Sequence, residues 1–165
     1  MWLQILIGFL ILLAIMEIIG FRLIVPYLGK TRLPSKIPED LAKTIKKLKR
    51  KTKLETAKAV YKFLTTKYHG GRHSTLYRWD LIWMKDLGKL WSKSGYMACN
   101  QLSWLYYLML RKAGFSEKEA RLRLTWLNLN VHEYVELNIN GKRYEVDVWA
   151  ATFGWKFGTR PKIFG

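Results

Sequence analysis

A chain of 165 residues with 50% apolar side chains, eight Trp and nine Tyr has the length and the hydrocarbon for one core of ordinary size. Its 29 Lys and Arg against 12 Asp and Glu give a formal charge of +17, yet so many large apolar groups exclude a disordered basic tail. One cysteine excludes an internal disulfide framework and a Cys-built structural zinc site.

From Trp2 to Leu28 the chain is nearly continuous hydrocarbon, interrupted only by Gln4, Glu17, Gly20, Arg22 and Pro26. A span needs roughly 20 apolar residues, so residues 1–28 predict one transmembrane helix. No basic residue precedes the run and no small-x-small site follows it, so an uncleaved anchor is expected rather than a signal peptide. Arg22, Lys30, Arg32 and Lys36 flank its far end, and the positive-inside rule then puts the N-terminus outside and the remainder in the cytoplasm. A free thiol suits that compartment. Glu17 within the span marks an interfacial position, a protonated carboxyl or a helix contact.

Residues 29–51 read as a basic linker. Lys30–Lys53 holds ten Lys or Arg against Glu39 and Asp40, with Leu41, Ile45 and Leu48 at helical spacing. Such a helix fits anionic lipids of the adjacent bilayer, at about 1 kcal/mol per well-placed cation, or is simply a solvated face. Nucleic acid is the less economical partner, and Arg121, Arg123, Arg143, Lys156, Arg160 and Lys162 form no recognised nucleic-acid motif.

The body occupies residues 52–165. Thr52-Lys53-Leu54-Glu55 has the capping-box pattern, and Ala57, Val60, Tyr61 and Leu64 predict an apolar face running to Tyr68, with Gly70-Gly71 as the stop. Arg72–Gly95 is aromatic and irregular. Cys99–Lys112 predicts a long buried helix closed by Ala113-Gly114. Ser116–Ala120 reads as a short turn or helical piece. From Arg121 the period changes to two, predicting strands over Arg121–Leu129, Val131–Ile139 and Lys142–Trp149, with Asn140-Gly141 as a two-residue hairpin turn.

That turn sets a register. Ile139 faces Lys142, and further back Val135 faces Val146, Tyr134 faces Asp147 and His132 faces Trp149. His132 and Asp147 thus share a face and lie diagonally within hydrogen-bond reach. Cys99 opens the long helix, at the positive end of its dipole, where a thiolate is stabilised. A thiol, an imidazole and an acid that orients the imidazole make a nucleophilic triad, and the Cys99 amide at the helix start supplies an oxyanion donor. The bland alternative is a packing cysteine beside a structurally satisfied histidine. His69 and His73 are four apart, but the glycines between them oppose a helical zinc pair and favour a loop. No cofactor and no metal are expected.

Gly95-Tyr96-Met97-Ala98-Cys99, the helix ending Leu110-Arg111-Lys112-Ala113-Gly114, His132-Glu133-Tyr134-Val135-Glu136 and Gly141-Lys142-Arg143-Tyr144-Glu145-Val146-Asp147 together resemble the transglutaminase-like core of the papain-like cysteine enzymes. The helix Glu55–Leu64 resembles the one that often opens that domain, and the likeness covers Thr52–Trp149. The resemblance implies an α+β fold, with the Cys helix packed on an antiparallel sheet behind the transmembrane helix. It implies Cys99 as nucleophile, His132 as general base and acid, Asp147 as orienting carboxylate, and a protein or peptide amide as substrate. The Asp in the family is commonly followed by Pro-Thr, whereas Val148-Trp149 stand here; Trp79, Trp83 and Trp91 are candidates for a further oxyanion donor. The function expected is acyl transfer or hydrolysis of amide bonds, with protease or amidase chemistry favoured over cross-linking. A non-catalytic binding module of the same fold is the alternative.

Overall fold

Glu39 and Asp40 open, and Lys46 and Lys47 close, a ten-residue helix whose charges complement its dipole; this is α1 (Glu39–Leu48). A computed structural model describes Trp2, residues 4–9, 11–12, 24–71, Ser74, 77–127 and 130–162. Leu41 and Ile45 turn the apolar stripe of α1 into the core, leaving its lysines on the outside. Helix α2 (Lys53–Lys67) begins at the expected capping box: Thr52 Oγ1 accepts from the Glu55 amide, and Glu55 Oε2 accepts from the Thr52 amide. It ends before the glycines, because Tyr68-His69 (β1) leaves the helix to run parallel to Gly95-Tyr96 (β2). Two short helices, α3 (Trp79–Ile82) and α4 (Leu87–Ser92), occupy the stretch between them.

Helix α5 (Cys99–Lys112) has the predicted bounds and is buried on every side from Asn100 to Leu110. Such a helix shows little amphipathicity because it meets protein all round. It packs against α2 on one side and against β3 (Ala120–Leu127) and β4 (Asn130–Ile139) on the other. Two buried hydroxyls tie it to both neighbours: Tyr106 donates to the Ala57 carbonyl at 3.2 Å, and Ser103 to the Glu133 carbonyl at 2.7 Å. Gly114, at φ 105°, supplies the left-handed residue that ends the helix, with the Phe115 amide returning to the Leu110 carbonyl.

The three-stranded sheet has the order β3-β4-β5, all antiparallel, with β5 spanning Lys142–Val146. Ile139 faces Lys142 and Val135 faces Val146, as the turn demanded; Asn140 and Gly141 take φ of 53° and 77°. The last strand stops at Val146 rather than Trp149, because Asp147 departs to accept from the Ala150 amide at the start of a short 3-10 helix (Ala150–Phe153). Residues 128–129, at the expected end of β3, lie outside the described residues. On the outer face of the sheet Arg123 and Arg143 hold Glu136 at 2.9 and 2.8 Å, and Arg160 from the tail holds Glu145 at 2.9 Å while lying over the Tyr134 ring.

The expectation for the N-terminus is corrected. Among the described residues no helix is long and apolar enough to cross a membrane. The described residues form a small α+β domain, and they do not support the transmembrane helix expected over residues 1–28 or the single-pass arrangement, outside N-terminus and cytoplasmic body built on it. Trp2, residues 4–9 and 11–12 are helical, whereas Glu17, Arg22 and the rest of 13–23 lie outside the described residues. The physical reason is visible at the far end of the run. Val25, Tyr27 and Leu28 are 5%, 9% and 5% exposed because they pack into the domain. An apolar composition signals burial, and here part of it is burial against protein. Tyr27 holds φ 68°, a left-handed conformation that costs a non-glycine residue roughly 1–2 kcal/mol. Its ring, 4.3 Å from that of Trp104, and its hydroxyl, donating to the Lys85 carbonyl, keep it there.

Gly114→Ala is expected to cost about 1 kcal/mol through strain at the helix end, and Leu105→Ala about 2–5 kcal/mol through a cavity in the core. Urea unfolding of the two variants against wild type checks both values and their order.

Candidate functional site

Cys99 sits at the first position of α5, after Ala98, whose extended backbone ends the approach from β2. Ala98 offers no side-chain acceptor to the first-turn amides, where Ser or Asp would stabilise a helix start by about 1 kcal/mol. Gln101 fastens the turn instead: its Oε1 accepts from the Ala98 amide at 3.4 Å and its Nε2 donates to the Leu81 carbonyl. The thiol is half-buried, packed partly on the core and partly open. Ser103, one turn further along the same helical face, carries the bond to the Glu133 carbonyl. The start of α5 is thereby laid against the residue that follows His132.

His132 is 4% exposed and Asp147 1%. Nε2 of His132 donates to Asp147 Oδ2 at 2.6 Å, while Asp147 Oδ1 accepts from the Ala150 amide at 2.9 Å. Both oxygens of the acid are thus engaged, one as a cap and one as the imidazole's anchor. Anchoring Nε2 leaves Nδ1 as the ring nitrogen that could serve a thiol, and Cys99 lies near enough to His132 to act on its charge. Burial alone would lower the His132 pKa. Electrostatic attraction to Cys99 and the hydrogen bond and charge of Asp147 outweigh it, and push the pKa up to about 10. The field of Asp147 also reaches α2: Tyr61 is pushed up to about 12, first by burial and then by that carboxylate.

A wall of rings closes the outer side of this pair. Trp149 lies 5.5 Å from His132, centroid to centroid, and 4.9 Å from Phe153. Gly70 lies against Trp149 so closely that a Cβ there would come within 2.7 Å of Cδ1, Nε1 and the backbone oxygen of Trp149. The Gly70 amide donates to Thr152 Oγ1 at 2.7 Å, fastening the same turn. Gly70 is glycine here for space, a role the sequence pattern of a helix stop does not reveal.

The structure therefore brings together the three residues singled out from the sequence. Both faces of β4 are buried from His132 to Val135, so the face that carries His132 is sealed as well as the one opposite, and Asp147 has left the strand before its carboxylate is placed. Of the tryptophans considered as oxyanion donors, Trp91 is committed to Asp40 through Nε1 and stacks on Phe63. Trp83 is 40% exposed, and the side chain of Trp79 lies outside what the structure describes. His69 is an exposed residue of β1 and His73 lies outside the described residues. Among the described residues no group of three or more His, Cys, Asp or Glu could hold a metal ion. Asn100, Ser103, Glu133 and Gly70 support the site and were not singled out from the sequence.

No protein-family model matches the chain, and no curated protein matches it significantly.

Two outcomes follow from the geometry. The imidazole is expected to stay protonated through neutral pH and to titrate well above its ordinary value near 6.5, and Cys99→Ala to lower that titration point; NMR of the ring protons reads both. With a raised folded-state pKa, the stability contributed by the charged ring is fully present below about pH 6.5 and is lost as pH rises through about 10. Gly70→Ala is expected to cost about 1–3 kcal/mol by overpacking against Trp149, measured by the same urea unfolding.

Proposed function

We propose that this chain is a thiol-dependent enzyme acting on protein or peptide amides, built on a transglutaminase-like core, with hydrolysis as its principal outcome. The observation that carries the reading is a partly exposed cysteine near enough to a buried imidazole to act on its charge, with the imidazole Nε2 fixed by a capped carboxylate. A histidine kept only for packing has no need of a raised pKa, and raising it keeps the nearby sulfur's counter-charge in place at neutral pH.

In this reading Cys99 Sγ attacks the carbonyl carbon of an amide, and its electron pair forms the C–S bond. The carbonyl oxygen becomes an oxyanion at the start of α5, where the Cys99 amide serves as a donor in this reading and the helix dipole favours negative charge. Imidazolium His132 gives its proton to the departing nitrogen as the C–N bond breaks, leaving an acyl thioester and a neutral ring. Water then gives a proton to His132 and attacks the thioester; the carboxylic acid leaves and the thiolate–imidazolium pair is restored. Asp147 holds the ring in one tautomer and one orientation throughout, without taking the proton. Water needs no binding surface of its own, which favours hydrolysis over transfer to an amine.

The test is alkylation of Cys99 by iodoacetamide as a function of pH. An isolated thiol, of pKa about 8.5, slows on the order of 100-fold between pH 8 and pH 6. Wild type is expected to slow no more than about threefold, His132→Ala to revert to the isolated-thiol profile, and Asp147→Asn to fall between. Incubation of wild type and Cys99→Ser with a peptide library, read by mass, then looks for products that need the sulfur. A wild-type thiol with the isolated-thiol profile would leave a binding module of the same fold as the better reading.

A further inference from the structure

The chain between the N-terminal apolar run and α1 crosses the domain as a turn over residues 25–29, with Tyr27 and Gly29 both at positive φ. Two buried side chains grip it. Asn100 Nδ2 donates to the Pro26 carbonyl at 2.7 Å, and Glu133 Oε1 accepts from the Gly29 amide at 2.9 Å. Asn100 directly follows Cys99, and Glu133 directly follows His132. Both are nearly sealed, at 4% and 0% exposure. The Ser103–Glu133 bond closes the figure on its other side.

We propose that the turn over residues 25–29 positions the thiol against the imidazole, acting through Asn100 and Glu133. This rests on the reading of Cys99 and His132 as a reactive pair and names what aligns them. Successive Cα atoms are a fixed 3.8 Å apart, so holding residues 100 and 133 to one short rigid segment holds 99 and 132 with them. The turn is rigid because its positive-φ tyrosine is locked by the Trp104 ring and the Lys85 carbonyl. The chemistry of the anchors argues the same way. A sealed carboxylate is an expensive way to hold a loop, since an apolar side chain of similar volume would avoid its desolvation. What the carboxylate provides and an apolar group does not is direction: a short, oriented acceptor for one particular amide. Asn100 and Glu133 are positioning residues, since each acts on its chain neighbour, Cys99 or His132, by holding the turn over residues 25–29.

The experiment uses the full-length chain and compares iodoacetamide rates at pH 6 and pH 9 for wild type, Glu133→Ala, Glu133→Gln and Asn100→Leu, with far-UV circular dichroism for each. Misalignment leaves the thiol intrinsically reactive but removes its counter-charge. Glu133→Ala and Asn100→Leu are therefore expected to lower the pH 6 to pH 9 rate ratio about tenfold or more while keeping the pH 9 rate within about threefold. Glu133→Gln, which retains an oxygen for the Gly29 amide, is expected to restore most of the ratio. A folded Glu133→Ala or Asn100→Leu protein with the wild-type ratio overturns the proposal. If Glu133→Ala does not fold, the charge-neutral, similarly branched Asn100→Leu decides. An isolated-thiol profile in wild type instead removes the reactive pair itself, a result distinguishable from failure of the anchors alone.

Discussion

The bond from Ser103 to the Glu133 carbonyl, set in the middle of a helix that has no solvent-facing side, is the contact against which the rest of the molecule is registered. Helix α5 cannot slide on the sheet without breaking it, and cannot rotate without exposing or overpacking side chains that are sealed on all sides. Its first residue is consequently delivered to one place relative to β4. A thiol on a loop would have no such constraint, and a thiol in mid-helix would lack both the uncapped amides and an opening to solvent.

The sheet side of the site depends on a second economy. Asp147 ends β5, caps the following 3-10 turn with one oxygen and holds His132 with the other. The turn it caps brings Trp149 over the imidazole, and the absence of a side chain at Gly70 lets Trp149 settle there. Strand termination, ring orientation and exclusion of water from the His132–Asp147 bond thus share one carboxylate. Shielding of this kind strengthens a hydrogen bond by lowering the local dielectric.

Much of this was legible in the sequence, for identifiable reasons. The Thr52–Glu55 capping box, the bounds of α5 and the β4–β5 register are local: each is written in residues within a turn or two of one another, and Asn140-Gly141 admits few alternatives. The proximity of His132 to Asp147 followed from that register. The grip of Asn100 and Glu133 on residues 26–29 was not legible, because a buried polar residue next to a notable one carries no periodic signal and its partner is remote in the chain. Gly70 was read as a helix stop because spacing shows where a helix can end and not what approaches it. The far end of the N-terminal run, at residues 25–28, misled for a related reason. Hydropathy reports that a segment avoids water, and Val25, Tyr27 and Leu28 avoid it within the domain. The basic residues of the sheet and tail are likewise explained only in space, where Arg123, Arg143 and Arg160 form ion pairs across strands and tail.

The sequence separations of the site's contacts carry a consequence for its order of assembly. The imidazole and its acid are 15 residues apart and joined by a tight hairpin, whereas the grips on the segment at 26–29 close loops of 74 and 104 residues. Long closures cost more entropy and come later unless earlier packing has already brought the ends near. On a ribosome the segment at 26–29 emerges long before Glu133 exists to hold it. In the folding order this implies, the start of α5 and the strand that carries His132 take their final places last, after the whole domain has closed.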